Sequence, residues 1–349
     1  MKFGIFFLLE QPPWKTQEAV YRDALTQAAY AEELGFDAVW LAEHHFSEYG
    51  ICPSMAVLAG AIAQRTRRVA IGTAVCILPF NHPLRIAEEW AMVDLLSDGR
   101  LDFGVGRGYQ PAEYAGFAIA MNESRERFDE ALEIIRQAWT QERVTFNGTY
   151  YQVSDVAVLP KPVQKPHPKI RIACVSPDTF ERVARQGERF LSAPSITPVH
   201  LMKSAYETYR RIWLESGHST AELEIPALYF CHVGQDAAST RRDSEKAITW
   251  YFQTLARVIA ESKDPTRVPE AYKFYARAKG NLEAVTYDFL YQEVVLFGDP
   301  ERVTDRLQQV SDELGLTYVI AWMNFGGLPD GAVRGSMRRF AEKVMPRFR

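Results

Sequence analysis

The stretch GFDAVWLAEHHF, residues 35–46, compresses the plan of the chain into one line. Gly35 closes a run in which Val20, Ala24, Ala28 and Ala31 keep a spacing of about four, so a helix fills most of 17–34 and a glycine stops it. Phe36–Ala42 is short, apolar and bounded, the mark of a buried strand. Glu43, His44 and His45 follow at once at its C-terminal end. A helix feeding a buried strand that ends on titratable side chains is the repeating unit of an α/β protein.

The same unit recurs in both directions. Lys2–Leu9, Val69–Ile77, Arg100–Gly106, Lys169–Val175, Phe190–Ala193, Ile225–Val233 and Thr317–Met323 read as further strands. Between them lie helical patterns. Residues 83–97 begin on Pro83 and carry Ile86, Trp90 and Val93 on one face, and Phe128, Ala131, Leu132, Ile135, Ala138 and Trp139 mark another stripe. Val144–Val153 holds Asn147-Gly148 between β-formers and reads as an inserted hairpin. Asp299 is an N-cap before Pro300, the stripe Val303, Leu307, Val310 and Leu314 follows, and Gly315 ends it. Residues 330–347 form a closing helix. Residues 255–292, with Pro265, Pro269 and Gly280, fit the alternation poorly and read as a lid that closes over the site. About eight strands alternating with helices point to a parallel sheet, closed as a (β/α)8 TIM barrel or open and doubly wound. No linker divides the chain, so one barrel domain with insertions is expected over 1–349. Its chemistry then belongs at the strand C-termini, where Glu43-His44-His45 falls.

Composition narrows the function classes. Lys and Arg number 40 against 44 Asp and Glu, interspersed and without a basic block, so the phosphate-neutralising surface of a nucleic-acid binder is missing. The apolar N-terminus stops at Glu10 and reads as a strand, not a signal peptide, and no apolar run reaches the roughly 18 residues of a membrane span. The four cysteines, Cys52, Cys76, Cys174 and Cys231, form no CxxC and read as buried thiols of a reducing compartment. A soluble, cytoplasmic protein is expected.

Three stretches offer chemistry. Glu43-His44-His45 suits metal binding poorly, because neighbours at a strand end point to opposite sides and the other histidines form no spaced cluster. As acid/base groups the two histidines weigh equally with ordinary loop histidines. GVGRGYQP, residues 104–111, fails as a dinucleotide fingerprint because its third glycine comes one residue early and Pro111 follows. It does place one cation, Arg107, at a strand end, suited to a phosphate or to a surface ion pair. CVSPDTFERVARQG, residues 174–187, sets Ser176 and Thr179 where a helix begins, either as caps or as a phosphate cradle.

Taken together these stretches resemble the bacterial luciferase family of flavin-dependent monooxygenases. The likeness runs from MKFGIFFL through GFDAVWLAEHHFSEYG, IGTAVCILPFNHPLRIAEEWAMVDLLSDGRLDFGVGRG, SRERFDEALEII and GDPERV to FGGLPDGAVRGSMRRFAEKVMP. It implies a barrel that takes FMN at the strand C-termini. Reduced FMN, delivered by a separate flavin reductase, would react with O2 to a C4a-(hydro)peroxyflavin that oxygenates an organic substrate. His44 matches the catalytic histidine. Arg107, Ser176 and Thr179 match phosphate-binding positions, Ala74-Val75 matches a non-proline cis peptide beneath the flavin ring, and Tyr109 and Val175 complete the cofactor set. Glu43, His45, Phe46, Gly106 and Trp322 are expected at the substrate pocket, among aromatics that include Phe6, Tyr49 and Phe80 and suit an apolar or aromatic substrate. Gly106 stands where the light-emitting subunit has a reactive cysteine, and Val175 replaces a carboxylate, which leaves oxygen activation in place and sets aside a long-chain aldehyde and light emission. Gly106 is expected to open room beside the flavin. A homodimer is expected through the helices after strands two and three, with Ile86, Trp90 and Val93 as contacts. The rival readings are F420-dependent hydride transfer and a non-catalytic partner subunit of a heterodimer.

Overall fold

The computed structural model describes residues 1–193, 199–260, 282 and 284–349. Its chain alternates as the sequence does: β1 (Lys2–Phe7), α1 (Gln17–Glu33), β2 (Ala38–Leu41), α2 (Met55–Arg65), β3 (Ala70–Thr73), β4 (Cys76–Ile77), α3 (Pro83–Leu96), β5 (Leu101–Gly106), α4 (Pro111–Gly116) and α5 (Ser124–Thr140). An antiparallel hairpin, β6 (Val144–Asn147) and β7 (Gln152–Val156), precedes β8 (Lys169–Ala173), α6 (Pro177–Arg185), β9 (Arg189–Leu191), α7 (Val199–Glu215), β10 (Pro226–Val233) and α8 (Ala237–Ala260). The chain then forms β11 (Leu296–Gly298), α9 (Pro300–Leu314), β12 (Tyr318–Asn324) and α10 (Asp330–Arg339).

Parallel pairing runs β10–β12–β1–β2–β3–β5–β8–β9. The two ends of this series meet where Leu228 N of β10 donates to Ser192 O just past β9, at 3.1 Å. The fold is an α/β TIM barrel. The caps follow the sequence signals. Asp299 accepts from Arg302 N at 2.9 Å, and Gly315 ends α9 in the left-handed region at φ +65°. The hairpin is fastened to α5 by Glu130, whose carboxylate accepts from the backbone N–H groups of Thr149, Tyr150 and Tyr151.

At the strand N-termini the barrel interior is closed by charge. Arg171 on β8, 1 % exposed, grips Asp102 with Nε at 2.7 Å and Nη2 at 2.8 Å, and reaches Glu224 at 2.5 Å. Lys2 takes the other Glu224 oxygen. The rings of Trp40 and Tyr318 lie under the guanidinium, 5.5 and 5.8 Å away.

Three expectations are corrected. Val69–Ile77 is two short strands, β3 and β4, on either side of a cis Ala74–Val75 peptide. Residues 255–260 complete α8, and Tyr287–Val294 forms helical turns; the remainder of the expected lid, 261–281 and 283, lies outside the described residues. Ile86, Trp90 and Val93 cannot be dimer contacts, since all three are buried beneath α3. Their periodicity marked the stripe that packs on the barrel, whereas the large apolar side chains exposed on these two helices are Met92, Leu95 and Leu96 on α3 and Val57 on α2. All four cysteines are buried and unpaired. Among the described residues no helix is long and apolar enough to cross a membrane.

Candidate active site

His44 leaves the C-terminal end of β2 and is pinned by its backbone, where His44 N donates to Cys52 O at 3.3 Å. The returning loop presses on it. A Cβ at Gly50 would lie 2.8 Å from the His44 Cβ, so glycine is what lets this backbone cover the ring. The His44 Nδ1 lies 2.8 Å from Glu113 Oε1, and that oxygen also accepts from His45 N at 2.9 Å. Glu113 is fully buried in the first turn of α4, and its second oxygen has no partner among the described residues. A buried carboxylate next to Nδ1 fixes the tautomer: Nδ1 carries the proton and donates it, and Nε2 keeps its lone pair for the site. Gln110 packs against the same nitrogen, with its Nε2 3.0 Å from Nδ1.

His45 turns the other way. Its Nε2 meets Glu43 Oε1 at 3.0 Å, and Glu43 Oε2 accepts from Ile77 N at 2.9 Å. Its ring is edge-on to Phe117 at 4.7 Å and to Phe80 at 5.9 Å. Phe46, beside it, is 66 % exposed, with φ +60° and its ring seated over Gly116. Glu43 and His45 therefore brace the wall, and Phe46 lies on the outer rim.

The rings next to His44 are Tyr49, edge-on at 4.9 Å, and Tyr109, edge-on at 5.8 Å. The Tyr109 hydroxyl donates to Tyr49 Oη at 2.9 Å, and Tyr49 Oη and Tyr251 Oη are 3.0 Å apart. Tyr251 leads on to Trp322, 4.9 Å away, which stacks on Phe230 at 4.2 Å and is 4 % exposed. Tyr109 thus belongs with His44, and Trp322 with the aromatic core behind it.

The second set gathers on adjacent strand ends. β5 and β8 pair with Val105 opposite Ile172, so Arg107 and the run Val175-Ser176 emerge side by side. Ser176 occupies the N-cap of α6 but does not cap it; its hydroxyl meets that of Thr179 at 2.9 Å. Val175 is exposed. Gly106 faces the cis peptide, since a Cβ there would come within 2.5 Å of Val75 Cγ2 and 3.4 Å of Ala173 Cβ. The room left by the missing side chain is taken up by Val75. Among the described residues no group of three His, Cys, Asp or Glu side chains is placed to hold a metal ion.

The family model described as luciferase-like monooxygenase matches residues 1–318. The chain belongs to the luciferase-like monooxygenase family. It is 28% identical over 353 residues to an alkanal monooxygenase alpha chain of Photorhabdus luminescens, covering 99% of this chain and 96% of that one. Among solved structures it resembles monooxygenase RslO1 from Streptomyces bottropensis at 32% identity and TM-score 0.85, with both chains fully covered. The oxygenating constituent of 3,6-diketocamphane monooxygenase from Pseudomonas putida, a type II Baeyer–Villiger monooxygenase solved in complex with FMN, shares the fold at 18% identity and TM-score 0.82, covering 99% and 98%.

Sequence reasoning passed over Gln110, Glu113, Glu10 and Tyr251. For the first two a signal existed. Pro111, which disqualified the dinucleotide fingerprint, is a helix-starting proline, and it sets Glu113 in the first turn of a helix just past a strand end.

Proposed function

We propose that the chain is an FMN-dependent monooxygenase of a two-component system, acting on an apolar or aromatic organic substrate with O2. The observation that carries this reading is the His44–Glu113 pair, buried at a strand C-terminus with Nε2 as the open nitrogen. An imidazole held in one tautomer accepts and returns a proton at Nε2, and a dry aromatic surround keeps bulk water from competing for it. The residues present also fit the cofactor. Arg107, Ser176 and Thr179 combine a cation with two hydroxyls at the start of a nine-residue helix, a setting for a phosphate. Val75, packed against Gly106, stands at the position the family resemblance assigns to the face of the ring. Reduced FMN, when bound, supplies the electrons that activate O2. The protein contributes placement, water exclusion and the proton held between Nε2 and the reacting oxygen.

A flavin reductase would deliver reduced FMN. Two copies would associate through the exposed faces of α2 and α3 at Val57, Met92, Leu95 and Leu96. The four unpaired, buried thiols support a reducing compartment, the cytoplasm.

The test is an anaerobic titration with reduced FMN, followed by oxygen and a search for substrates that gain one oxygen atom. The native chain is expected to bind reduced FMN and oxygenate. His44→Asn should keep that binding and lose roughly 10²–10⁴-fold in product formation. Preferential binding of reduced F420, or a fully active His44→Asn variant, would overturn the reading.

A further inference from the structure

Glu10 follows β1, is 3 % exposed, and has one carboxyl oxygen held and one not. Gly326 N donates to Oε2 at 2.9 Å. Oε1 is buried and has no hydrogen-bond partner among the described residues. Lys15, the cation that acts on it, is committed to Asp23 at 3.0 Å and to Leu328 O at 3.0 Å. Burial pushes the Glu10 carboxyl well above the usual range, and the Gly326 amide and Lys15 only partly oppose this. A carboxyl that keeps its proton and accepts through Oε2 carries that proton on Oε1. It is then a buried donor without an acceptor.

A second such donor lies on the neighbouring segment: Gln11 N donates to Glu48 O at 2.9 Å and Ile51 N to Leu9 O at 3.0 Å, which sets Tyr49 beside Glu10. Tyr49 and Tyr251 bring two phenolic protons to the one link between them, and Tyr49 already accepts from Tyr109. Whichever way that link runs, one proton of the Tyr49–Tyr251 pair has no acceptor among the described residues. Both phenols are buried, and burial first, then their neighbours and Glu10, pushes their ionisation well up, so both stay donors. Around them the wall is aromatic: Trp322 is 4.9 Å from Tyr251 and 4.7 Å from Phe6.

We propose that Glu10 and the Tyr49–Tyr251 pair form the carbonyl-binding end of the substrate site, and that the substrate is an aromatic ketone or quinone whose oxygen accepts from both. The proposal rests on the reading above in setting the substrate beside His44, whose ring Tyr49 touches. A carbonyl oxygen has two lone pairs and no proton of its own. It satisfies both donors, whereas an alcohol adds a third unpaired proton and a hydrocarbon leaves both donors bare. The pairing of a neutral carboxylic acid with a phenol is a known way to hold a carbonyl oxygen in an apolar site.

The test is equilibrium binding to the full chain of three probes of one shape: 2-acetonaphthone, 1-(2-naphthyl)ethanol and 2-ethylnaphthalene. The ketone is expected to bind at least about tenfold tighter than the hydrocarbon, with the alcohol between them. Glu10→Leu and the double variant Tyr49→Phe/Tyr251→Phe should each erase most of that ratio, and Glu10→Gln, which keeps a donor, should retain it. Tyr251→Phe alone should retain it too, because the Tyr49 proton is then the one released. The double variant removes both hydroxyls at almost constant volume and carries the test where Glu10→Leu does not fold. Equal binding of ketone and hydrocarbon by the native chain, or an unchanged ratio in the double variant, overturns the proposal. The assay needs no flavin. A chain that selects the ketone yet refuses reduced FMN overturns only the monooxygenase reading, and one that binds reduced FMN without selecting the ketone overturns only this one.

Discussion

The two ends of the barrel bury charge in opposite ways. At the strand N-termini Arg171 is matched by Asp102 and Glu224, with Lys2 on the remaining Glu224 oxygen, so each carboxylate oxygen of the cluster has a partner, while the guanidinium Nη1 has none among the described residues and lies among aromatic rings. At the strand C-termini Glu10 Oε1, Glu113 Oε2 and one proton of the Tyr49–Tyr251 pair have none among the described residues. A buried polar group without a partner is costly, so a fold tolerates it chiefly where something else will make the bond. The closed end holds the barrel together, and the open end holds its donors and acceptors in reserve.

The most damaging test of this contrast is Arg171→Met. It leaves Asp102 and Glu224 buried without their cation and should cost about 3–5 kcal/mol in denaturant unfolding. Survival of the variant at near-native stability would mean that the cluster is incidental. The cluster also has a pH signature. Burial works against ionisation of Glu224, but Arg171 and Lys2 hold its carboxyl down at about 2. Its contribution is therefore complete above the unfolded value of about 4.5 and is lost as pH falls towards 2.

His232 sharpens the comparison from the other side. It is fully buried near the end of β10, its Nε2 is 3.8 Å from Asp243 Oδ2, and neither ring nitrogen has a hydrogen-bond partner among the described residues. Burial pushes it down to about 4, against the pull of Asp243. The folded chain stays neutral there while the unfolded chain takes a proton near 6.5. Stability conferred by this residue is thus intact above pH 6.5 and falls between 6.5 and 4, by about 3 kcal/mol in all. Subtracting the unfolding free energy of His232→Phe from that of the native chain across this window should recover the slope. A flat difference would show that the imidazole finds a partner in solution.

A smaller effect is expected at Glu113, and on a different observable. Glu113→Gln keeps the size of the side chain and removes the charge that fixes the His44 tautomer. Product formation should fall by about ten- to a hundredfold and its pH profile should shift, with unfolding changed by no more than about 1–2 kcal/mol. An unchanged pH profile would make Glu113 a packing residue only.

How far the sequence reached follows from the range of the interactions. Strands and caps are local, and they were legible: Asp299 and Gly315 bound α9 as the residue types require. Boundaries slipped by a residue or two where burial, not propensity, ends a strand, as at Phe7 and Leu41. The sequence could place His44, Arg107 and Ser176 just past strand ends, with Thr179 in the first turn of the helix that follows, and the structure puts them there; a barrel keeps its chemistry at that face. Glu113, 69 positions from its partner, and Tyr251, 202 from Tyr49, were not, because no periodicity records which loops meet. Ile86, Trp90 and Val93 show the converse error: an apolar stripe reveals that a helix face is buried, without saying by what.

The two crowded glycines set the rules for re-engineering this enzyme. A methyl group at position 50 would drive into His44 and one at position 106 into Val75, so neither position can accept diversity without moving a neighbour. A saturation library should therefore leave Gly50 and Gly106 fixed and begin at Phe46, which is exposed on the rim and can change without displacing a buried neighbour.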